Sequence, residues 1–185
     1  MTKQNPFITT GYAGPEYFCD RVEETQQLIK WLTNGNNVAL ISPRRYGKTD
    51  LIRHCFAQPT IKRDYYTFII DIYAAKTFED VVKMMSLSIV RQLKPKGQKA
   101  MDTFLSFLQS IRPNISFDYM GNPSFSLSQG EIRTPETTLS ELFQYLQSAE
   151  KPCLVAIDEF QQICKIKDEH VEALFRTQVQ YCSNA

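Results

Sequence analysis

The chain has 185 residues, 43% of them apolar, with a formal net charge of +1, which fits one α/β domain with its own core and leaves no basic footprint for nucleic acid. No apolar run reaches the roughly 18 residues that a membrane-spanning helix needs, and the N-terminus has no apolar signal core, so a cytoplasmic protein with no membrane partner is expected. Five dispersed cysteines, Cys19, Cys55, Cys153, Cys164 and Cys182, include no C-x-x-C pair and read as reduced thiols, not as a disulfide framework or zinc ligands.

Along the chain, Asp20 and Glu23 read as a capping box for a helix whose stripe is Val22, Leu28, Ile29 and Leu32. The apolar run Val38-Ala39-Leu40-Ile41 reads as a buried strand. It delivers the chain to Ser42-Pro43-Arg44-Arg45-Tyr46-Gly47-Lys48-Thr49, the pattern G-x-x-x-x-G-K-[ST] of a phosphate-binding loop with Ser42 in place of its first glycine. Such a loop works through backbone N–H groups converging on one concavity at the start of a helix, here carrying Leu51, Ile52, Cys55 and Phe56. Gly47 supplies the unusual backbone, Lys48 reaches the β- and γ-phosphates, and Thr49 offers its hydroxyl to Mg²⁺. If the first position requires a positive φ, Ser42 costs on the order of 1 kcal/mol there. Asp50 adds a negative charge beside Thr49. It is expected to point away from the phosphates, pair with Arg44 or Arg45, or cap the helix.

A second strand is expected over residues 66–73, with Asp71 near its tip facing either a nucleotide or a loop-side hydrogen bond. Thr77 and Asp80 cap a helix running through Leu93, stopped by Lys94-Pro95, and Met101, Phe104, Leu105, Leu108 and Ile111 mark another. Residues 112–130 alternate around Met120-Gly121-Asn122-Pro123 and predict an inserted β-hairpin, either a flap on the sheet edge or a surface for a protein partner or self-assembly. Thr138 and Glu141 are expected to cap a helix with Leu139, Leu142, Phe143 and Leu146 on one face. A last helix carries Val171, Leu174, Phe175 and Val179, and His54 and His170 read as ordinary helix residues.

Between those last helices, Cys153-Leu-Val-Ala-Ile-Asp-Glu-Phe160 is a continuous apolar run ending in two carboxylates. It reads as a strand buried on both faces, whose tip lies where open α/β sheets bind ligands. Asp158 is the candidate Mg²⁺ ligand and Glu159 the candidate general base for an attacking water; Gln161 or Gln162 either positions water or is a surface glutamine. A glutamate beside the metal aspartate favours hydrolysis over transfer to a metabolite, and no Asn-Lys-x-Asp guanine signature is present, which favours ATP.

Four segments carry a family likeness: Asn5-Pro6-Phe7, residues 17–24 (Tyr-Phe-Cys-Asp-Arg-Val-Glu-Glu), residues 41–49 with the twin arginines Arg44 and Arg45, and Ile157-Asp158-Glu159-Phe160-Gln161. In these the chain resembles the AAA-related P-loop ATPases of the archaeal-type group within the STAND class, in the form frequent in Bacteroidetes. That family often has glycine where Asp20 and Ser42 stand. The resemblance implies a P-loop NTPase fold, an AAA-like three-layer sandwich with a parallel sheet and an inserted hairpin. It places Tyr17, Phe18 and Arg21 against the adenine, whereas the sequence alone leaves Arg21 equally a solvated first-turn charge.

It also implies a sensor strand, an arginine finger, a helical lid and an effector region beyond Ala185. Residues 1–185 are therefore expected to be an N-terminal part of the ATPase domain, truncated before the sensor-1 strand and slow to hydrolyse ATP. The leading functional expectation is a Mg-dependent ATPase acting as a nucleotide-controlled switch. A nucleotide-binding scaffold with little turnover and an initiator-like, DNA-associated ATPase are the alternatives.

Overall fold

The computed structural model describes residues 11–43, 45–93, 97–110, 114–117, 123–126, 132, 134–167 and 170–185. They fall into two compact units, residues 1–66 and 67–185.

The first unit holds a 3-10 turn at Pro15–Tyr17 and three helices, α1 (Val22–Thr33), α2 (Lys48–Ala57) and α3 (Pro59–Asp64). α1 packs on α2, and α2 on α3. Leu28, Leu51, Cys55, Phe56 and Ile61 are buried at this centre, and the Cys55 thiol approaches the Thr25 carbonyl at 3.8 Å. The expected capping box does not form. Asp20 and Arg21 both take left-handed backbone, with φ of 72° and 59°, and α1 starts at Val22 with no side-chain cap. A capping box needs an extended N-cap residue whose side chain turns back over the first turn. Here Thr25 closes that turn instead, its N–H and hydroxyl donating to the Arg21 carbonyl at 3.0 and 2.8 Å. Val22, expected in the buried stripe, is 64% exposed.

Val38–Ile41 is not a strand, and Ile41 is 93% exposed. Apolar β-branched sequence suits a pleated surface with neighbours on both sides, but among the described residues no strand pairs with this segment.

The second unit contains β1 (Tyr66–Asp71), α4 (Phe78–Leu93), α5 (Gln98–Phe107), β2 (Asn114–Phe117), β3 (Pro123–Ser126), α6 (Pro135–Ser148), β4 (Cys153–Asp158), a 3-10 turn at Phe160–Lys165, and α7 (His170–Tyr181). β1 and β4 form a two-stranded parallel sheet. Two strands do not by themselves define the predicted three-layer sandwich. Phe68 and Ile70 of β1 are fully buried, as a half-buried strand of period two requires, and so is Ile72, which follows the strand's end at Asp71, two residues short of the expected 66–73. β4 departs from the expectation of burial on both faces: Cys153 and Leu154 are buried, while Val155 to Asp158 are half-buried. On β1, the Gln92 carboxamide of α4 acts like a strand neighbour, accepting from Ile69 N at 2.9 Å and donating to Ile69 O at 3.2 Å.

The helical stripes supply the core. Val81, Met85, Ile89 and Leu93 of α4, Phe104 of α5, Leu139, Leu142 and Leu146 of α6, and Phe175 of α7 are all nearly inaccessible, each such side chain stabilising the fold by about 1.5–3 kcal/mol. α4 begins as predicted: Thr77 N–H donates to Asp80 Oδ2 at 3.0 Å and Asp80 N–H to Thr77 Oγ1 at 3.1 Å. The predicted hairpin forms with Ile115 opposite Phe125 and Phe117 opposite Pro123; its turn, Leu127 and the Lys94-Pro95 stop lie outside the described residues. Thr138 and Glu141 do not cap α6, which starts at Pro135 after Thr134. Pro at the first helical position suits a site where no N–H is required, and it moves the start one turn earlier. At the far end of α6, Asn184 Nδ2 donates to the Leu146 and Ala149 carbonyls at 2.9 and 3.4 Å, and the Asn184 carbonyl accepts Cys153 N–H at 2.8 Å.

Candidate functional site

α2 starts at Lys48, and Gly47 before it is left-handed, with φ 68° and ψ 28°. The first helical bond runs from Leu51 N to the Gly47 carbonyl at 2.9 Å. A helix beginning here aims its first-turn N–H groups and the positive end of its dipole at the preceding loop. An added Cβ at Gly47 would meet only Arg21 Nη1, at 3.8 Å, so the backbone conformation and not crowding is what favours glycine. Among the described residues of the loop, Arg45 is also left-handed, φ 64°, while Ser42 lies outside that region. The strain conditionally expected at Ser42 does not arise there.

Lys48 bends back over the loop, its Nζ donating to the Ser42 carbonyl at 3.1 Å and the Pro43 carbonyl at 3.4 Å. The octet thus curls around its own ammonium group. Tyr46 is 67% exposed, Arg45 is exposed, and Arg44 lies outside the described residues. Asp50, in the first turn of α2, faces a cavity of about 180 Å³ that Tyr12, Tyr17, Phe18, Arg21, Tyr46 and Gly47 also line. That volume is below the roughly 300 Å³ at which whole-ligand pockets begin, and suits part of a ligand beside the loop.

Arg21, which lines this cavity with Tyr17 and Phe18, is also bound to the loop. Its Nη1 donates to the Tyr46 carbonyl at 3.1 Å and to the Gly47 carbonyl at 3.5 Å, and its Nε pairs with Glu24 at 3.3 Å. Phe18 stacks on His54, ring centroids 4.2 Å apart and planes within 15°, which commits one of its faces. Tyr12 donates or accepts at His54 Nδ1, 3.1 Å away, and Gln58 Nε2 lies 3.1 Å from His54 Nε2. Burial, reinforced by Glu16 and Cys55, raises the Tyr12 pKa. His54 is therefore not an ordinary helix residue but the anchor of an aromatic cluster on α2. The available signal was an aromatic between glycines, Gly11-Tyr12-Ala13-Gly14, a pattern of a chain turning tightly around a side chain.

The carboxylate pair belongs to the second unit. β4 ends at Asp158, and Glu159 is left-handed, φ 58°, at the start of the following 3-10 turn. Asp158 Oδ1 accepts Glu159 N–H at 3.0 Å, and the Gln161 carboxamide donates to the Glu159 carboxylate. Gln162, expected on the surface if not at water, is buried. Asp71 makes the loop-side bond, accepting Tyr73 N–H at 2.9 Å.

Among the described residues no group of three or more His, Cys, Asp or Glu side chains is arranged to hold a metal. Mg²⁺ takes one or two protein oxygens and fills its remaining positions with phosphate and water; the Thr49 hydroxyl and the Asp158 carboxylate are donors of that hard-oxygen type. The octet, Tyr17, Phe18 and Arg21 lie together in the first unit, and Asp158 and Glu159 lie together in the second. No helix among the described residues is long and apolar enough to cross a membrane. Comparison with protein-family models, curated proteins and solved structures finds no match to the chain.

Proposed function

We propose that the protein binds ATP through the loop 42–49 and acts as a Mg-dependent ATPase of the P-loop class, its nucleotide state serving as a switch. The observation that carries this reading is the curled octet: a left-handed Gly47 opening α2, with Lys48 Nζ held over the Ser42 and Pro43 carbonyls. In this reading the first-turn N–H groups bind phosphate, and Lys48 leaves its carbonyls for the phosphate oxygens. Asp50 and the aromatic cavity flank the nucleoside side. Mg²⁺, when bound, would supply charge neutralisation of the phosphates; Thr49 and Asp158 are the residues that would offer it oxygens, and Glu159 would accept a proton from water.

The test is Mg-ATP-dependent thermal stabilisation in wild type and in Lys48→Ala, together with phosphate release in Glu159→Gln. Wild type is expected to gain several degrees at saturating nucleotide, equivalent to about 2.7 kcal/mol at a hundredfold excess over Kd, and Lys48→Ala to gain none. An equal shift in Lys48→Ala would overturn the site. Glu159→Gln is expected to keep the shift and lose phosphate release; unchanged release would remove Glu159 from the mechanism.

A further inference from the structure

Arg21 joins the start of α1 to the end of the phosphate loop. The peptide group is planar and trans, so the C=O of one residue and the N–H of the next point in opposite directions. Arg21 Nη1 holds the Tyr46 carbonyl at 3.1 Å and reaches the Gly47 carbonyl at 3.5 Å. These are the carbonyls of the peptide units whose N–H groups belong to Gly47 and Lys48. A cation fixed on the carbonyl side turns both N–H groups to the other side.

The backbone of Arg21 suits this task. Asp20 and Arg21 are consecutive left-handed residues, with φ of 72° and 59°, a conformation costing about 1–2 kcal/mol for each non-glycine residue. Such strain persists only where the surroundings over-determine it. Here the Arg21 carbonyl accepts both the N–H and the hydroxyl of Thr25, Glu24 holds Nε, and the loop carbonyls hold Nη1. The strained turn aims the guanidinium at the loop, and the ion pair with Glu24 limits its rotation.

We infer that Arg21 is a positioning residue for phosphate, not a base contact: it locks the Tyr46–Gly47 and Gly47–Lys48 peptide planes so that the Gly47 and Lys48 N–H groups face the anion. This rests on the proposed phosphate-loop function. It requires that Arg21 act on ligands that have no base at all. Its forked donors matter too, because an ammonium is a point charge without the fixed two-nitrogen geometry.

The test is calorimetric titration of the full chain with Mg-ATP and with inorganic tripolyphosphate plus Mg²⁺, for wild type, Arg21→Gln, Arg21→Lys and Lys48→Ala. Arg21→Gln is expected to weaken both ligands by the same factor, on the order of tenfold, with Arg21→Lys between it and wild type. In ¹⁵N–¹H spectra, the Gly47 and Lys48 amides of wild type should move on adding tripolyphosphate and those of Arg21→Gln should not, at matched melting temperature. Loss of ATP affinity with tripolyphosphate affinity retained would make Arg21 a base contact and overturn the inference, as would undiminished affinity for both. If Arg21→Gln fails to fold, the same comparison is made with Arg21→Lys, where an unchanged affinity for both ligands and unchanged amide shifts overturn it. A wild-type chain that binds neither ligand overturns the phosphate-loop reading and this inference with it; loss in Lys48→Ala alone overturns only the role of Arg21.

Discussion

The carboxylate of Glu141 accepts the backbone N–H of Ser110 at 3.1 and 3.2 Å and its hydroxyl at 2.6 Å. The Ser110 hydroxyl also lies 2.6 Å from Thr138 Oγ1, and Thr138 is fully buried inside α6. One acidic side chain therefore pins the segment after α5 to the middle of α6. Bonds to a charged group contribute about 1.5–3 kcal/mol each at most, and a donor left without its partner costs more than the bond itself gave. Glu141→Ala is expected to lower stability by about 2–3 kcal/mol, and Glu141→Gln by about half that, since an amide oxygen still accepts one bond. Urea denaturation followed by circular dichroism measures both. A change below about 0.5 kcal/mol in Glu141→Ala, the range of inert surface substitutions, would remove the cluster from the stabilising interactions.

Asp80 gives a pH dependence. Burial by itself raises its pKa, but the Lys76 and Thr77 N–H groups, the Thr77 hydroxyl and the nearby Lys83 outweigh it, so the carboxyl lies below its ordinary value. The folded pKa is thus below the unfolded one. The contribution of Asp80 is fully present above the unfolded value of about 3.9 and is lost as pH falls through the folded value. Asp80→Asn is expected to cost about 1 kcal/mol at pH 7, as loss of a capping carboxylate does. The stability difference from wild type should shrink steadily below pH 4. A difference that is constant from pH 7 to pH 3 would show that the charge plays no part.

The thiols should separate by burial. Burial pushes Cys153 to about 12, with Cys182 adding to it, and pushes Cys55 to about 11 against the lowering effects of its backbone hydrogen bond and Arg21. Cys19 and Cys164 are exposed. Because the thiolate is the nucleophile, iodoacetamide at pH 8 should label Cys19 and Cys164 at least roughly 100-fold faster than Cys55 and Cys153. Mass spectrometry of the quenched protein reads this directly. Equal labelling of all five before denaturation would contradict the burial of Cys55 between α1 and α2 and of Cys153 at the start of β4.

Several features were legible in sequence because they depend on local chemistry. The Thr77 and Asp80 capping box needs only a three-residue spacing, and it forms. The stripe Leu139, Leu142, Phe143 and Leu146 needs only the helical period, and all four are buried. The same spacing rule failed at Asp20 and Glu23, where two left-handed residues displace the helix start. It failed again at Thr138 and Glu141, because Pro135 begins α6 earlier and frees both side chains to reach Ser110. A spacing signals that a cap can form, not that the backbone before it will be extended.

By itself the sequence determined the start of α2 after Gly47, the carboxylate-tipped strand 153–158, the paired strands of the hairpin and the buried stripe of α6, because each is fixed by residues within a few positions of one another. Tertiary structure decided what lies between distant residues. It alone put Phe18 and Tyr12 on His54, replaced a strand neighbour of Ile69 with the Gln92 amide, and set the Arg21 guanidinium on the Tyr46 and Gly47 carbonyls. The physical reason is that periodicity and capping report the backbone's local preferences. A guanidinium or an imidazole takes whatever acceptors and ring faces the chain brings to it from tens of residues away.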